Sequence, residues 1–281
     1  MHSEAKDGEK GGIGQRGHSA LSWLFNAERI AILESDITLT DATRDKTYRI
    51  DNVDIRAFNS GDLHQIRISS ALPDAMGETS VASFDFTGRS DDVNDWSGQF
   101  YVDAKRLNLS EISDFWRDQH QRYNGTADVQ LWGRWRGTRI NQVRAIMNGK
   151  DLLMGLPMSD SDQTAMLEAD KIELDLDWNR TEAGWDSSFN RLLIDYNGEP
   201  EKSLRLDGLD LFTQRDENGD RQLRMAGPDI SIAQLRPLLS FARPFHSKLA
   251  IVDRFREGVM RDWVIGGTCL LYTSPSPRDR G

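Results

Sequence analysis

The chain carries one cysteine in 281 residues, Cys269. One thiol excludes an internal disulfide framework and the paired thiolates of structural zinc sites. The five histidines, His2, His18, His64, His120 and His246, form no HxxxH or HxH pair, so a metal site has no support in the sequence. No GxSxG nucleophile elbow occurs. Long apolar runs are missing: Leu152-Leu153-Met154 is far shorter than the roughly 20 residues that span a bilayer. Met1 to Lys10 is polar and has no apolar segment of the kind that marks a signal peptide. Basic residues are the minority, 35 against 45 acidic, for a formal charge of −10. Sequence-independent nucleic-acid binding needs the opposite balance, so no nucleic-acid partner is expected.

Alternation organises what is present. From Trp96 to Trp135, Phe100, Val102 and Ala104 alternate with Tyr101, Asp103 and Lys105, and Leu107 and Leu109 continue the apolar series as a half-buried strand. Leu109, Ile112, Phe115 and Trp116 then fall on one face of a short helix, with Asn124-Gly125 read as its end. From Thr126 the period returns to two. Ala127, Val129, Leu131 and Gly133 share one face, and Asp128, Gln130, Trp132 and Arg134 share the other. Trp132 and Trp135 therefore point to opposite faces of one strand. Ile230, Ile232, Leu235, Leu238 and Leu239, followed by Gly258, Trp263 and Ile265, repeat the unit, which suggests a stacked, extended architecture.

Further strands are predicted at Ile37–Leu39, Tyr48–Ala57, Ile66–Ile68, Ala82–Phe86, Val143–Met147, Ile172–Trp178, Phe189–Tyr196, Leu204–Phe212 and Gln222–Ile232. A phase slip at Asp51-Asn52 predicts a β-bulge. Glu217-Asn218-Gly219-Asp220 reads as a hairpin turn. Ala20–Ala27 reads as a short helix, Leu152–Asp162 as a loop, and Pro237 and Pro244 as breaks dividing Ala233–Glu257 into two helical pieces. Short strands joined by turns give a mainly β fold: an extended, curled, groove-like antiparallel sheet with short helices inserted between strands. Residues 1–18 read as a disordered N-terminal segment and 19–267 as the β-rich domain, with repeated units near 96–135 and 222–266. Residues 268–281 read as a translated sequencing-adapter artefact, set aside from the fold. Without them the chain has no cysteine, which suits an oxidising envelope compartment.

Motifs with chemical potential have plainer explanations. Gly12-Ile13-Gly14-Gln15-Arg16-Gly17 matches GxGxxG, but the polar residues before it cannot form the buried strand a dinucleotide site requires. Asp216, Asn218 and Asp220 place a glycine at the fourth position, not the sixth that a calcium loop needs. Glu173, Asp175 and Asp177, near Asp170, share one strand face about 7 Å apart. A glycosidase pair must flank a sugar from opposite sides, so a solvated face is the expectation. No cofactor and no catalytic residue is expected.

The order and spacing of Trp23, Arg29-Ile30, Ile37-Thr38-Leu39, Trp96-x-Gly98-x-x-Tyr101, Leu107-x-Leu109-x-x-Ile112, Trp116, Gly125, Trp132 and Ile230-x-Ile232-x-x-Leu235 carry a resemblance. Over roughly Leu21 to Gly266, the chain resembles the YhdP central domain of the AsmA-like family of Gram-negative cell-envelope proteins. The resemblance implies a non-enzymatic periplasmic segment of a longer protein, anchored to the inner membrane by an N-terminal helix missing here. It also implies a role in phospholipid transport to the outer membrane and in outer-membrane integrity, with phospholipid and envelope proteins as partners. On that reading Phe84, Phe86, Phe100, Val102, Val129, Leu131, Ile172, Leu174 and Leu176 line a lipid-binding β-groove. The same residues would equally pack against a second sheet in a sandwich, and a period of two does not separate the cases. The alternatives are a structural scaffold, or a carbohydrate-binding β protein with Trp132 or Trp185 as stacking platforms.

Overall fold

The computed structural model describes residues 25, 27–41, 46–89, 92–115, 122–157, 164–182, 184–196, 203–215, 221–242 and 257–268. The strands are β1 (Arg29–Asp41), β2 (Lys46–Ser60), β3 (Leu63–Ala71), β4 (Thr79–Thr87), β5 (Ser97–Asn108), β6 (Arg122–Arg136), β7 (Arg139–Pro157) and β8 (Thr164–Arg180). They continue with β9 (Trp185–Asp195), β10 (Leu204–Leu206), β11 (Leu209–Arg215), β12 (Arg221–Gly227), β13 (Ile230–Ser231), β14 (Val259–Met260) and β15 (Trp263–Thr268). Helix α1 (Leu109–Phe115) follows β5, and α2 (Ile232–Ala242) follows β13. Thirteen strands form one antiparallel sheet in the order β1 to β9, β11, β12, β15, with β10 also paired to β9. Among the described residues, β1 and β15 each pair on one side only, so the sheet is open and not a barrel. The fold is the mainly β, antiparallel one that the alternation implies.

Residues directly opposite each other in an antiparallel pair share a face, so the register reads off both surfaces. One row runs Ile30, Ala57, Ile66, Phe84, Phe100 and Gly133. It continues through Val143, Trp178, Ser187, Leu211, Met225 and Ile265. That line crosses all twelve strands of the path, and only Gly133 and Ser187 interrupt its apolar character. The neighbouring row on the other face includes Arg67, Ser83, Tyr101, Trp132, Arg144 and Asp177. The sheet is therefore apolar on one side and polar on the other.

Bulges keep it so. A one-residue slip in a strand would turn its apolar set to the wrong face. The predicted slip in β2 is an extra residue with Asn52 at φ 51°, and it returns Ile50 and Tyr48 to the face of Val53 and Ile55. Arg106 (φ 50°) does the same in β5 between Ala104 and Leu107, and Asp151 (φ 52°) in β7. Two bulges, the one at Arg106 and a further one at Glu34 (φ 48°) in β1, are held from the next strand. Asp54 Oδ1 accepts from the Glu34 amide at 2.9 Å, and Asp128 Oδ1 from the Arg106 amide at 2.8 Å.

Several elements differ from their sequence reading. Leu152 to Pro157 is strand, not loop: β7 runs 19 residues, and Leu152 and Met154 sit opposite Ala169 and Leu167. Asn124-Gly125 does not close the helix, described over Leu109–Phe115, but lies inside β6. Gly125 (φ 106°) is there because the β7 bulge comes against it; a Cβ would lie 2.5 Å from Asp151 O. Helix α2 runs through Pro237. The lost backbone hydrogen bond is offset by Leu235 and Leu238, which pack on the core. The strands are also longer than short segments ten residues apart. The readings at Gly12–Gly17, Asp216–Asp220, most of Ala20–Ala27 and the tail after Thr268 lie outside the described residues.

The two glycines of β6, Gly125 and Gly133, predict a ranking. At Gly133 a Cβ would meet the Phe100 ring at 2.3 Å, and a ring can swing; at Gly125 it would meet main chain in a left-handed conformation. Gly133→Ala should cost about 1–3 kcal/mol in urea unfolding. Gly125→Ala should cost more, and adding Phe100→Leu should recover stability only for Gly133→Ala.

Candidate functional site

All nine residues expected to line a groove lie on the apolar face. Phe84 is opposite Phe100, and Val102 is opposite Leu131. Leu131 leads through Ala145 to Leu176, and Val129 through Met147 to Leu174. Phe86 and Ile172 are buried, at 5% and 7% exposure; the other seven are half-buried. Among the described residues the apolar face thus has two packed clusters with a half-buried band between them.

One covered zone is an aromatic cluster where β4 ends and β5 begins. The Phe86 ring lies 5.0 Å from Trp96, 5.9 Å from Trp135 and 5.1 Å from His64, and Phe25 packs edge-on to Phe86 at 6.0 Å. The Trp96 indole donates to Arg89 O at 2.7 Å, and His64 Nδ1 and Nε2 lie 2.7 Å from Asn59 Oδ1 and 3.1 Å from Gly88 O. The other zone is the main core, at the opposite ends of the strands. Ile172 joins Leu167, Ile194 and Leu204 there, and Leu109 of α1 with Leu235 and Leu238 of α2 packs against them. The Tyr196 hydroxyl is buried in this core with no partner among the described residues, and burial pushes its pKa up to about 12.

Between the zones lie Phe84, Phe100, Val102, Val129, Leu131, Leu174 and Leu176, which are half-buried and belong to neither cluster among the described residues. Sequence reasoning placed Val143, Ala145 and Met147 on a strand but missed them as lining, although they share its alternation. Phe189 was missed for another reason. A bulge at Asn190 brings it opposite Leu176, out of step with Leu192. At the sheet edges the same face leaves Ile32, Leu39 and Ile265 between 43% and 49% exposed.

The polar face neutralises its own charges. Glu173 pairs with Lys171 and, at 3.3 Å, with Arg191. Asp175 pairs with Arg144 at 3.2 Å, and Asp177 accepts from Asn190 at 2.8 Å. The carboxylate row of β8 is a solvated, ion-paired surface. No cluster of three or more His, Cys, Asp or Glu side chains fit to hold a metal occurs among the described residues. No helix there is long and apolar enough to cross a membrane. Trp132 stands on the polar face at 36% exposure. Trp185, named with it as a stacking platform, is half-buried opposite Arg180, two residues from buried Ser187 and so on the other face.

Two polar-face carboxyls are held below the usual range. At Asp103 burial acts upward, but hydrogen bonds from Gln130, Lys105 and Tyr101 outweigh it. At Glu173 the hydrogen bond from Lys171 leads. A depressed folded-state pKa gives stability that is present above the unfolded value and lost as pH falls through the folded one. Below about pH 4 the melting temperature should therefore fall. Asp103→Asn with Glu173→Gln should flatten that slope, by no more than about 1 kcal/mol for such partly exposed pairs.

A family model described as YhdP protein matches residues 5–250 of the chain. No curated protein and no solved structure matches it.

Proposed function

We propose that this chain, which belongs to the YhdP family of cell-envelope proteins, holds phospholipid acyl chains on the apolar face of its open sheet. The observation that carries the reading is the apolar row from Ile30 to Ile265. It crosses twelve strands, is covered in two zones and is half-open between them. A sandwich would need a second sheet over that band. The other sheet formed by described residues is the two-stranded β13–β14 pair, which sits at the α2 end with Ile230 in the core. Apolar patches of more than a few hundred Å² mark interaction surfaces. An acyl chain is a suitable occupant, because each buried CH₂ contributes about 0.8 kcal/mol and needs no directional partner.

On this reading the chain is a periplasmic segment of a longer protein tethered to the inner membrane. The sheet is a stretch of conduit for phospholipid moving between the membranes, and no chemistry is performed on the lipid. Twelve strands at about 4.8 Å spacing make roughly 53 Å of continuous apolar path. A path of that kind lets a lipid move along it without re-entering water.

Native mass spectrometry and lipid extraction on the purified chain test the reading. Phospholipid should co-purify, and a photo-crosslinker at Leu131 or Leu174 should capture it while one at Gln130 or Asp175 does not. Leu131→Asp puts a carboxylate against the acyl chain, at a cost above the about 1–3 kcal/mol of a neutral polar group, so lipid occupancy should drop tenfold or more with the fold retained. A folded, lipid-free protein, or equal crosslinking from both faces, would count against a lipid groove.

A further inference from the structure

We propose that the polar face carries a second binding site, for a short neutral oligosaccharide, centred on Trp132. This does not rest on the lipid reading, because it uses the opposite side of the sheet. The face has a cavity of about 410 Å³ across β4 to β8, within the size range of small-ligand sites. Two adjacent register rows build it: Ser83, Tyr101, Trp132, Arg144 and Asp177 in one, and Asp85, Gln99, Arg134 and Gln142 in the other.

Three features choose the ligand class. The first is an aromatic platform on an otherwise polar surface. Trp132 is 36% exposed and pairs across the strands with Tyr101, ring centroids 5.2 Å apart. An indole offers an apolar face with a polar edge, which suits the C–H face of a pyranose ring and its rim of hydroxyls. The second is a held geometry. The Tyr101 hydroxyl donates to Asp103 at 3.2 Å, and the Gln130 amide donates to the same carboxylate at 3.3 Å. The platform is therefore fixed before any ligand arrives. The third is the polar rim. Ser83, Arg134 and Gln142 make no side-chain hydrogen bond within the described residues, leaving hydroxyl, guanidinium and amide groups for sugar hydroxyls. Two guanidinium groups, Arg134 and Arg144, stand against two carboxylates, Asp85 and Asp177. That balance disfavours phosphate, acidic peptide and cationic ligands alike and favours a neutral one.

Saturation-transfer NMR on the full chain with maltotriose and with chitotriose tests the site. At least one trisaccharide should show transfer to its ring C–H protons. Trp132→Ala should weaken its binding tenfold or more, and Arg134→Ala about threefold, while Arg191→Ala, on the same face outside the cavity, leaves it unchanged. Arg134 is exposed and has no side-chain partner among the described residues, so its replacement should not move the melting temperature and keeps the test open if Trp132→Ala misfolds. Absence of transfer from both trisaccharides would overturn the proposal. So would transfer that neither Trp132→Ala nor Arg134→Ala reduces; Trp132 and Tyr101 would then serve only as a cross-strand pair that stabilises the sheet.

Discussion

Side chains on a strand alternate with a period of two, and everything else in this molecule depends on keeping that alternation in phase over long strands. A sheet that is apolar on one side tolerates no unabsorbed slip, because each slip turns half a strand inside out. Strands of 15 and 19 residues do not stay regular while the sheet twists and bends. The chain meets this with single extra residues at Asn52, Arg106 and Asp151, each in the left-handed region. Such a conformation is costly outside glycine. At Glu34 and Arg106 a carboxylate on the next strand accepts the amide that the distorted ladder would leave unpaired. Asp54 and Asp128 are thus structural acceptors on the polar side that serve the order of the apolar side.

Much of this was legible in the residues. The alternations Phe100-Val102-Ala104, Val129-Leu131 and Ile172-Leu174-Leu176 fixed which side chains share a face, and the slip at Asp51-Asn52 announced its bulge. The illegible parts have physical reasons. Gly125 reads as a helix stop because glycine serves both helix ends and close approaches; only the register shows the bulged β7 main chain lying against it. Gly155 and Pro157 resemble loop punctuation, but among the described residues β6 pairs with β7 only as far as Gly155, so Pro157 is bounded by β8 alone and sits at an edge, where a missing amide is tolerated. Phe189 is out of phase by one residue, and nothing local marks Asn190 as the extra one. Whether the apolar face meets a second sheet is a property of what lies opposite it, and alternation along one strand carries no information about that.

The apolar face packs in two places. Phe86, Trp96 and Trp135 bury one another at one end of the strands, and Leu235 and Leu238 of α2 close over Ile172 and Leu204 near the other. A face that folded only by collapsing onto a partner layer would have no such division. It would show large, fully buried side chains in mid-strand, and among the described residues the largest are Leu204 and Ile230, both in the core on which Leu235 and Leu238 of α2 pack.

A sheet is one residue thick, so its two faces share a backbone and divide the side chains between them. Leu131, Trp132 and Gly133 are consecutive, yet Leu131 faces the apolar row, Trp132 the polar cavity, and Gly133 makes room for the Phe100 ring. A change at Leu131 therefore acts on one surface and a change at Trp132 on the other, although the two residues are neighbours in the chain. Coupling between the faces has to pass through register, by way of a bulge or a slip. The residues that could transmit it are Asp54 and Asp128, which hold the slips in place, and not those that line either surface.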